Sequence, residues 1–492
     1  EVSGYLGRGT LLADLHLPVR INGDVAVLKG ICKAILEQEQ ARPGSVLDHA
    51  FIDEYCSGFE AFSADIRDTS WEDIVGGSGV GEALIREAAE IAMQSRALIC
   101  CWAMGLTQHH NAVGNIQEIL NFLMLRGNLG RPGAGACPVR GHSNVQGDRT
   151  MGITERPSPE WLDSLRREFA FDPPESHGLD AVDAIRAMQA DKIGVFLALG
   201  GNFLAASPDT AYTSEAMRRC RLTVQISTKL NRSHLVTGQT ALILPTLGRS
   251  ESDQQPTGQQ FVTCENSMGV VQPSRGQLSP ASRQLRSEVR IVAEMAAATL
   301  GEDAQLDWHG WADDYREIRA RIEAAVPGFE SFETRLAEDG FLVLPNAVRD
   351  QRQFATEGER AHFRVHALPA GEPGPGRYIM MTIRSHDQFN TTVYSDNDRY
   401  RGISGSRRVV FMAPADMAAA GLAADDAVRI TSYFGQTTRQ LDGFTVVPYE
   451  IPPRCVATYY PEANPLVPID QVAELSNTPA YKSVLVSIES LR

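Results

Sequence analysis

Residues 127–148 read GNLGRPGAGACPVRGHSNVQGD. Six glycines, two prolines, two arginines, a histidine and several amides follow one another with almost no apolar side chains. Gly133, Gly135, Gly141 and Gly147 permit positive φ or the close approach of another group to the backbone. Arg131 and Arg140 stay charged in any surroundings and present planar forks to phosphate or carboxylate oxygens. Asn144 and Gln146 carry both donors and acceptors, which suits the edge of a heterocycle. Composition by itself leaves two readings open: a ligand cradle, or a long surface loop with incidental polar groups.

The flanking sequence places this loop in an α/β unit. VAVLKGICKAILEQEQ (25–40) has apolar positions at helical spacing. A second helical pattern ends near Ser95, the apolar run Ala97–Met104 predicts a buried strand, and NAVGNIQEILNFLMLRGNLG predicts a helix ended by Gly127. Helix, strand, loop and helix then recur. A helix precedes the expected strand Ile193–Leu199, which runs into a Gly200-Gly201-Asn202 turn, and further strands follow at Leu222–Ile226 and Ala241–Leu244. In open α/β sheets ligands bind beyond the carboxyl ends of the strands, where these polar loops fall. In the 200–202 turn, backbone N–H groups are free to face a phosphate or a ring, and Ser207 and Asp209 are placed to cap the next helix.

A charged helical stretch leads to HALPAGEPGPGRY, a Pro/Gly-rich linker. Beyond it, YIMMTIR, RRVVFMAP, DAVRITSYFG and FTVVPYEI read as short strands with one small helix near Ala415–Ala420, a barrel-like domain. The domains expected are a partial α/β unit at 1–139, an α/β unit at 140–300, a helical segment and linker at 301–375, and a β-barrel at 376–492.

Bulk properties exclude several classes. The chain has 492 residues and a net charge of −15, so nonspecific nucleic-acid binding is not expected. No run approaches the ~18 apolar residues of a membrane-spanning helix. The eight cysteines form no C-x-x-C pair, which leaves no visible zinc or cluster motif and points to a reducing, cytoplasmic setting. VGGSGVGEALI (75–85) imitates a dinucleotide fingerprint but lacks the strand that must lead into it; it is expected to be a glycine-rich entry to a helix. Arg384, Gln388 and Asn390 leave a barrel strand together in TIRSHDQFNT, and EANPLVP and NTPAYKS follow near the end. Each segment is weak alone, but together they suggest loops converging on one large polar ligand.

These segments, in this order, resemble the large catalytic subunits of molybdopterin oxidoreductases. MGLTQ with the following helix and GNLGRPGAGACPVRGHSNVQGD is similar to the formate dehydrogenase-type pattern Gly-x-Thr-Gln, helix, Gly-Asn-x-Gly-x-x-Gly-x-Gly, Pro-x-Arg-Gly-x-x-Asn-Val-Gln-Gly. GGNFLAASPD resembles the family's Gly-x-Asn-Pro turn, TALILPTLGRSESD its Ala-Asp-x-Val-Leu-Pro segment, and the last domain its dinucleotide-binding barrel of double-psi type. The resemblance implies Rossmann-like parallel-sheet domains before that barrel, and a bis(molybdopterin guanine dinucleotide) cofactor with molybdenum. It implies cofactor contacts at Gln108, Gly141, Asn144, Gln146, Gly147, Gly200, Gly201, Asn202, Arg384, Gln388, Asn390, Asn464 and Lys482. By the same analogy Arg140 is the active-site arginine that holds an anionic substrate, and His142 either relays a proton or packs against the pterin.

The departures from the pattern carry information too. Typical formate dehydrogenases read Arg-Gly-Gln where this chain reads Arg-Gly-His, which puts formate as the small-molecule substrate in question. The chain opens on EVSGYLGRGT without Met or a signal sequence. The family's metal ligand and four-cysteine motif for a 4Fe-4S cluster are expected to precede residue 1, so no residue here is assigned to metal. The resemblance thus implies the C-terminal portion of a two-electron oxidoreductase, passing electrons to an iron–sulfur cluster and a partner subunit. The competing reading is a non-catalytic scaffold or interaction subunit that keeps the same fold.

Overall fold

The computed structural model describes residues 12–301, 306–369 and 371–492. Helix Asp24–Ala41 lies where its periodicity placed it, and its apolar stripe (Cys32, Ile35, Leu36) packs against helices Phe59–Asp68, Glu82–Gln94 and Ala112–Met124. The VGGSGVG run joins two helices: Trp71–Ser78 continues through Gly76 and Gly77, Gly79 closes it, and Gly81 precedes Glu82–Gln94. Helix, not strand, precedes the glycines, and the dinucleotide reading fails on that point.

The strand expected over Ala97–Met104 is shorter and less buried. Ile99–Trp102 pairs in parallel with Gly135–Pro138, and Ile99 is 52% exposed. Among the described residues these two strands have only each other, so their outer edges and part of their faces are uncovered. The second α/β unit is fuller. Val195–Leu199, Leu222–Ser227 and Thr240–Pro245 form a parallel sheet in that order, and helices Ala181–Gln189 and Thr210–Arg219 bury Ile185, Met188 and Met217 against it. Asp209 does not cap the second of these helices. It sits at φ +47 and its carboxylate is held by Arg439 of the barrel, which turns the expected cap into a contact between units.

Residues of the stretch 301–375, expected as a helical segment and linker, enter two cores. Tyr315–Ala325 and Phe332–Glu338 pack on an antiparallel sheet of Leu342–Val343, Val270–Ser274 and Val262–Glu265, around Phe329, Phe332 and Val271. Phe354 and Phe363 instead join the core of the first unit.

The last domain is a closed six-stranded barrel. Its order is Tyr378–Ile383, Cys455–Tyr459, Val409–Met412, Thr437–Pro448, Ala427–Phe434 and Val484–Ser490, which returns to the first strand. Two neighbouring pairs are parallel, Tyr378–Ile383 with Cys455–Tyr459 and Val409–Met412 with Thr437–Pro448; the others are antiparallel. Alternation explains the layers: Val410 and Met412 point into the barrel core, whereas Val409 and Phe411 face an outer cluster with Ile403 and Tyr459. That is why all four residues of this strand are buried. The small helix is Pro414–Ala419. Among the described residues no helix is long and apolar enough to cross a membrane.

Candidate functional site

The barrel topology brings three segments to one end. Because Tyr378–Ile383 and Cys455–Tyr459 run parallel in register, their exits coincide, and Tyr460 N–H donates to the Ile383 carbonyl at 2.7 Å. Val484–Ser490 is antiparallel to the first strand, so the chain entering it arrives at the same end; there Thr382 N–H donates to the Tyr481 carbonyl at 3.1 Å. Arg384, Tyr460, Asn464, Tyr481 and Lys482 are thereby gathered by register alone.

Two α/β loops close on this end. The turn after Val195–Leu199 presents its carbonyls. Ala205 and Ser207 accept from Asn464 Nδ2 at 2.7 and 3.2 Å, and Ala206 accepts from the Tyr481 hydroxyl at 2.8 Å. The loop after Ile99–Trp102 supplies the Gln108 carbonyl, which accepts from the Lys482 N–H at 3.0 Å, and Met104, whose sulfur lies 3.7 Å from Arg384 Nη1. The loops at the carboxyl ends of two parallel strands and one end of the barrel therefore meet at one junction, and the cleft is the space bounded by these loops.

The cleft is polar and incompletely satisfied. Among the described residues, three buried atoms at this junction have no hydrogen-bond partner: His109 Nδ1, Arg384 Nε and Asn464 Oδ1. Buried polar atoms are ordinarily paired, so three orphans contributed by three converging segments stand out. Lys482 adds a buried cation whose Nζ donates, among the described residues, to the Thr382 carbonyl alone. Burial, with the nearby Arg384 charge second, pushes its pKa down to about 8. His109 is pushed down to about 4 by burial, against the pull of its bond to the Gly105 carbonyl, and is neutral at pH 7. Gly200 and Gly201 both have positive φ, and a side chain at either would meet no atom within 4 Å, so their backbone faces open space.

The Arg140 loop adjoins this cleft. Met104, beside Arg384, lies 3.5 Å from where a Gly141 side chain would begin, and His142 meets Phe389 edge-to-face at 5.6 Å. Arg140 is exposed; its guanidinium makes one long bond, 3.3 Å to Gln146 Oε1, while its backbone N–H donates to Ser267 Oγ at 3.2 Å. Arg249 reaches in from the second α/β unit to Ser143 and to the Cys264 sulfur. Asn144 and Gly147 act within the loop. Asn144 sits at φ +67 and its Oδ1 accepts from Glu265 N–H at 3.0 Å, lying where a Gly147 Cβ would be, 2.1 Å away. A cavity of about 190 Å³ adjoins this turn, lined by Asn144 and Gly147 and by apolar side chains such as Met151, Phe261 and Ile322.

The sequence-derived residues thus divide by geometry. Arg384, Lys482, Asn464 and Gln108 meet at the junction, Gly200 and Gly201 precede the turn that joins it, and the exposed Arg140, Gly141 and His142 with the half-buried Gln146 lie in the adjoining loop. Gln388 has its whole amide engaged inside the protein: Oε1 accepts from Ser385 N–H and Arg407, and Nε2 donates to the Asn390 and Tyr460 carbonyls. It shapes the loop rather than facing the cleft. Asn202 spends its carbonyl on Ala205 N–H and Ser233 Oγ, and Asn390 takes Arg384 and the Tyr460 hydroxyl. Sequence reading missed His109, Tyr460 and Tyr481, whose roles depend on barrel register. It also missed Arg407, buried and paired with Glu462, which braces Ser385, Gln388 and the Tyr460 carbonyl.

Residues 378–485 match the family described as the molydopterin dinucleotide binding domain. Over 99% of its length the chain is 47% identical to an uncharacterized oxidoreductase of Mycobacterium tuberculosis and covers 63% of that protein. Over 98% of its length it is 39% identical to Protein YdeP of Escherichia coli K12, covering 64% of it. Formate dehydrogenase H of Escherichia coli K12 aligns over 141 residues at 33% identity, 29% of this chain and 19% of that protein. Among solved structures, acetylene hydratase from Pelobacter acetylenicus superposes with a TM-score of 0.67 over 97% of this chain and 72% of that one; at 15% identity the likeness is one of fold. The chain spans less than two thirds of the length of the curated relatives it matches.

Proposed function

We propose that the chain belongs to the molybdopterin oxidoreductases of formate dehydrogenase-like type, holds a bis(molybdopterin guanine dinucleotide) and presents a small anionic substrate to it. The observation that carries this reading is the set of buried, unpartnered polar atoms around Lys482: His109 Nδ1, Arg384 Nε and Asn464 Oδ1. The donor set fits a dinucleotide. Arg384 and Lys482 supply charge for pyrophosphate oxygens, the open backbone at Gly200 and Gly201 supplies close N–H approach, and Asn464 Oδ1 with Nδ1 of the neutral His109 offers two acceptors to the N–H groups of a heterocycle. When bound, molybdenum supplies the two-electron redox chemistry.

The protein's own part is positioning. Arg140, exposed and lightly tethered beside the cleft, is free to fork onto a carboxylate such as formate and fix its orientation. His142 is held by the Phe389 edge next to it, with its ring nitrogens left to accept or release the proton that accompanies the electron pair. The 4Fe-4S cluster, its cysteines and an electron-transfer partner are assigned to the part of the relatives' length that this chain does not span.

Metal and pterin analysis of the protein from molybdenum-replete cells tests the reading. About one molybdenum per chain with guanine nucleotide released by acid is expected. Protein without molybdenum or pterin, yet folded, would refute it and leave the scaffold.

A further inference from the structure

Cys101 and Cys137 stand side by side on the two-stranded sheet. The parallel register pairs them directly, so their side chains are cross-strand neighbours. Directly paired residues project from the same face, whereas Cys100, one position back, turns to the opposite face and packs on the core of the first unit. Cys101 is exposed and Cys137 half-buried, with the Met268 thioether 3.9 Å from the Cys137 sulfur. Cys32, Cys56, Cys220 and Cys455 are buried. Among the described residues this is the exposed cysteine with a second thiol beside it.

We propose that Cys101 and Cys137 form a reversible disulfide, an oxidation site on the strand that leads to Arg140. Paired strands lie about 4.8 Å apart, inside the Cα separation of about 4.4–6.8 Å that a bridge accepts. The required Cβ separation of about 3.5–4.5 Å sits at the short end of what a sheet offers, so closure draws the strands together. A two-stranded sheet with both outer edges unpaired can yield in this way. Exposed and mildly strained bridges are also the ones most easily reduced again.

The oxidant is a peroxide. The Cys101 thiolate attacks a peroxide oxygen, breaking the O–O bond to give a sulfenic acid and one water; the Cys137 sulfur then attacks the sulfenic sulfur and expels the second water. Two thiols lose two protons and two electrons, and the peroxide is reduced to two waters. The consequence for the site follows from the chain path: Cys137 lies three residues before Arg140, and Val139 N–H donates to the Trp102 carbonyl at 2.7 Å, so the pairing continues to the residue before the arginine. The bridge anchors that approach covalently.

The test is to expose the reduced protein to stoichiometric hydrogen peroxide, block remaining thiols with iodoacetamide, digest without reduction and measure peptide masses. The expected product is a linked pair containing Cys101 and Cys137, two hydrogens lighter than the free peptides. It should disappear after dithiothreitol and in Cys101→Ser and Cys137→Ser, and persist in Cys100→Ser. Both thiols still alkylated after peroxide, a bridge through Cys100 or Cys264, or Cys101 driven to sulfinic acid without a bridge would each overturn the proposal. The readout is a mass on the wild-type protein, so it stands or falls apart from the role given to Arg140.

Discussion

Replacing Lys482 with methionine should stabilise the ligand-free protein while weakening its hold on the cofactor. The side chain is 9% exposed, and burial lowers its pKa from 10.5 to about 8. Each unit is worth about 1.36 kcal/mol, so the charged form carries a cost of about 3 kcal/mol in the empty fold. Methionine removes that cost and also the bond to the Thr382 carbonyl, returning about 1 kcal/mol. The net gain expected at pH 7 is about 2 kcal/mol. The sign with pH follows from proton counting. Between pH 8 and 10.5 the unfolded lysine binds more protons than the folded one, so wild-type stability rises with pH across that window and the advantage of Lys482→Met shrinks. Urea unfolding of the ligand-free wild type and variant at pH 7 and pH 9.5 measures both quantities, and molybdenum content of the loaded protein should fall in the variant. A variant less stable than wild type at pH 7, or an unchanged difference at pH 9.5, would refute the view that Lys482 is a buried cation awaiting an anion.

Arg140→Ala should leave urea stability within about 0.5 kcal/mol and molybdenum content unchanged, because the guanidinium is exposed and makes one long bond, while turnover is lost; parallel loss of molybdenum would make the arginine structural. Asn144→Ala and Gly147→Ala should each cost about 1–2 kcal/mol, since both free the Glu265 N–H, and the double variant should cost no more than the larger single one; additive values in a double-mutant cycle would break that link. His109, neutral down to about pH 4 when folded, should make stability fall as pH drops from 6.5 toward 4, and His109→Phe should flatten that acid limb in pH-dependent unfolding. Glu118, buried beside Asn121 and pushed up to about 7 by burial, acts in the opposite sense: its charge costs stability as pH rises from 4.5 through 7, so Glu118→Gln should gain about 2–3 kcal/mol at pH 8 and little at pH 5 in the same assay.

Much of the architecture is legible in local pattern. Apolar spacing places Asp24–Ala41 and Ala112–Met124 within a residue or two, and Leu222–Ser227 reads as a strand because Leu, Val and Ile alternate with Thr, Gln and Ser, although the fold buries both faces. Local pattern is weakest where burial depends on distant neighbours. Ile99–Trp102 has the composition of a central strand but stands in a sheet of two, and Cys455–Tyr459 and Val484–Ser490 were not singled out although they close the barrel. Asp209 has the chemistry and position of a helix cap, yet Arg439 outcompetes the helix for its carboxylate.

The same division holds at the site. Loop composition marks the segments around Arg140 and Arg384 as candidates for ligand binding, because glycines, forked cations and amides gather there, and the family resemblance adds Lys482. Which atoms are left over is a property of the fold alone. Gln388 looks as suitable as Asn464 in the sequence, but Arg407 and the Tyr460 carbonyl consume the amide of Gln388, while Asn464 keeps a bare Oδ1. His109 becomes a neutral, half-partnered imidazole only because register brings Lys482 and the barrel over it. Side-chain chemistry and short-range periodicity are written in the order of residues. Hydrogen-bond satisfaction, burial and the pKa values they set come from segments hundreds of residues apart, and they exist only once the chain has closed on itself.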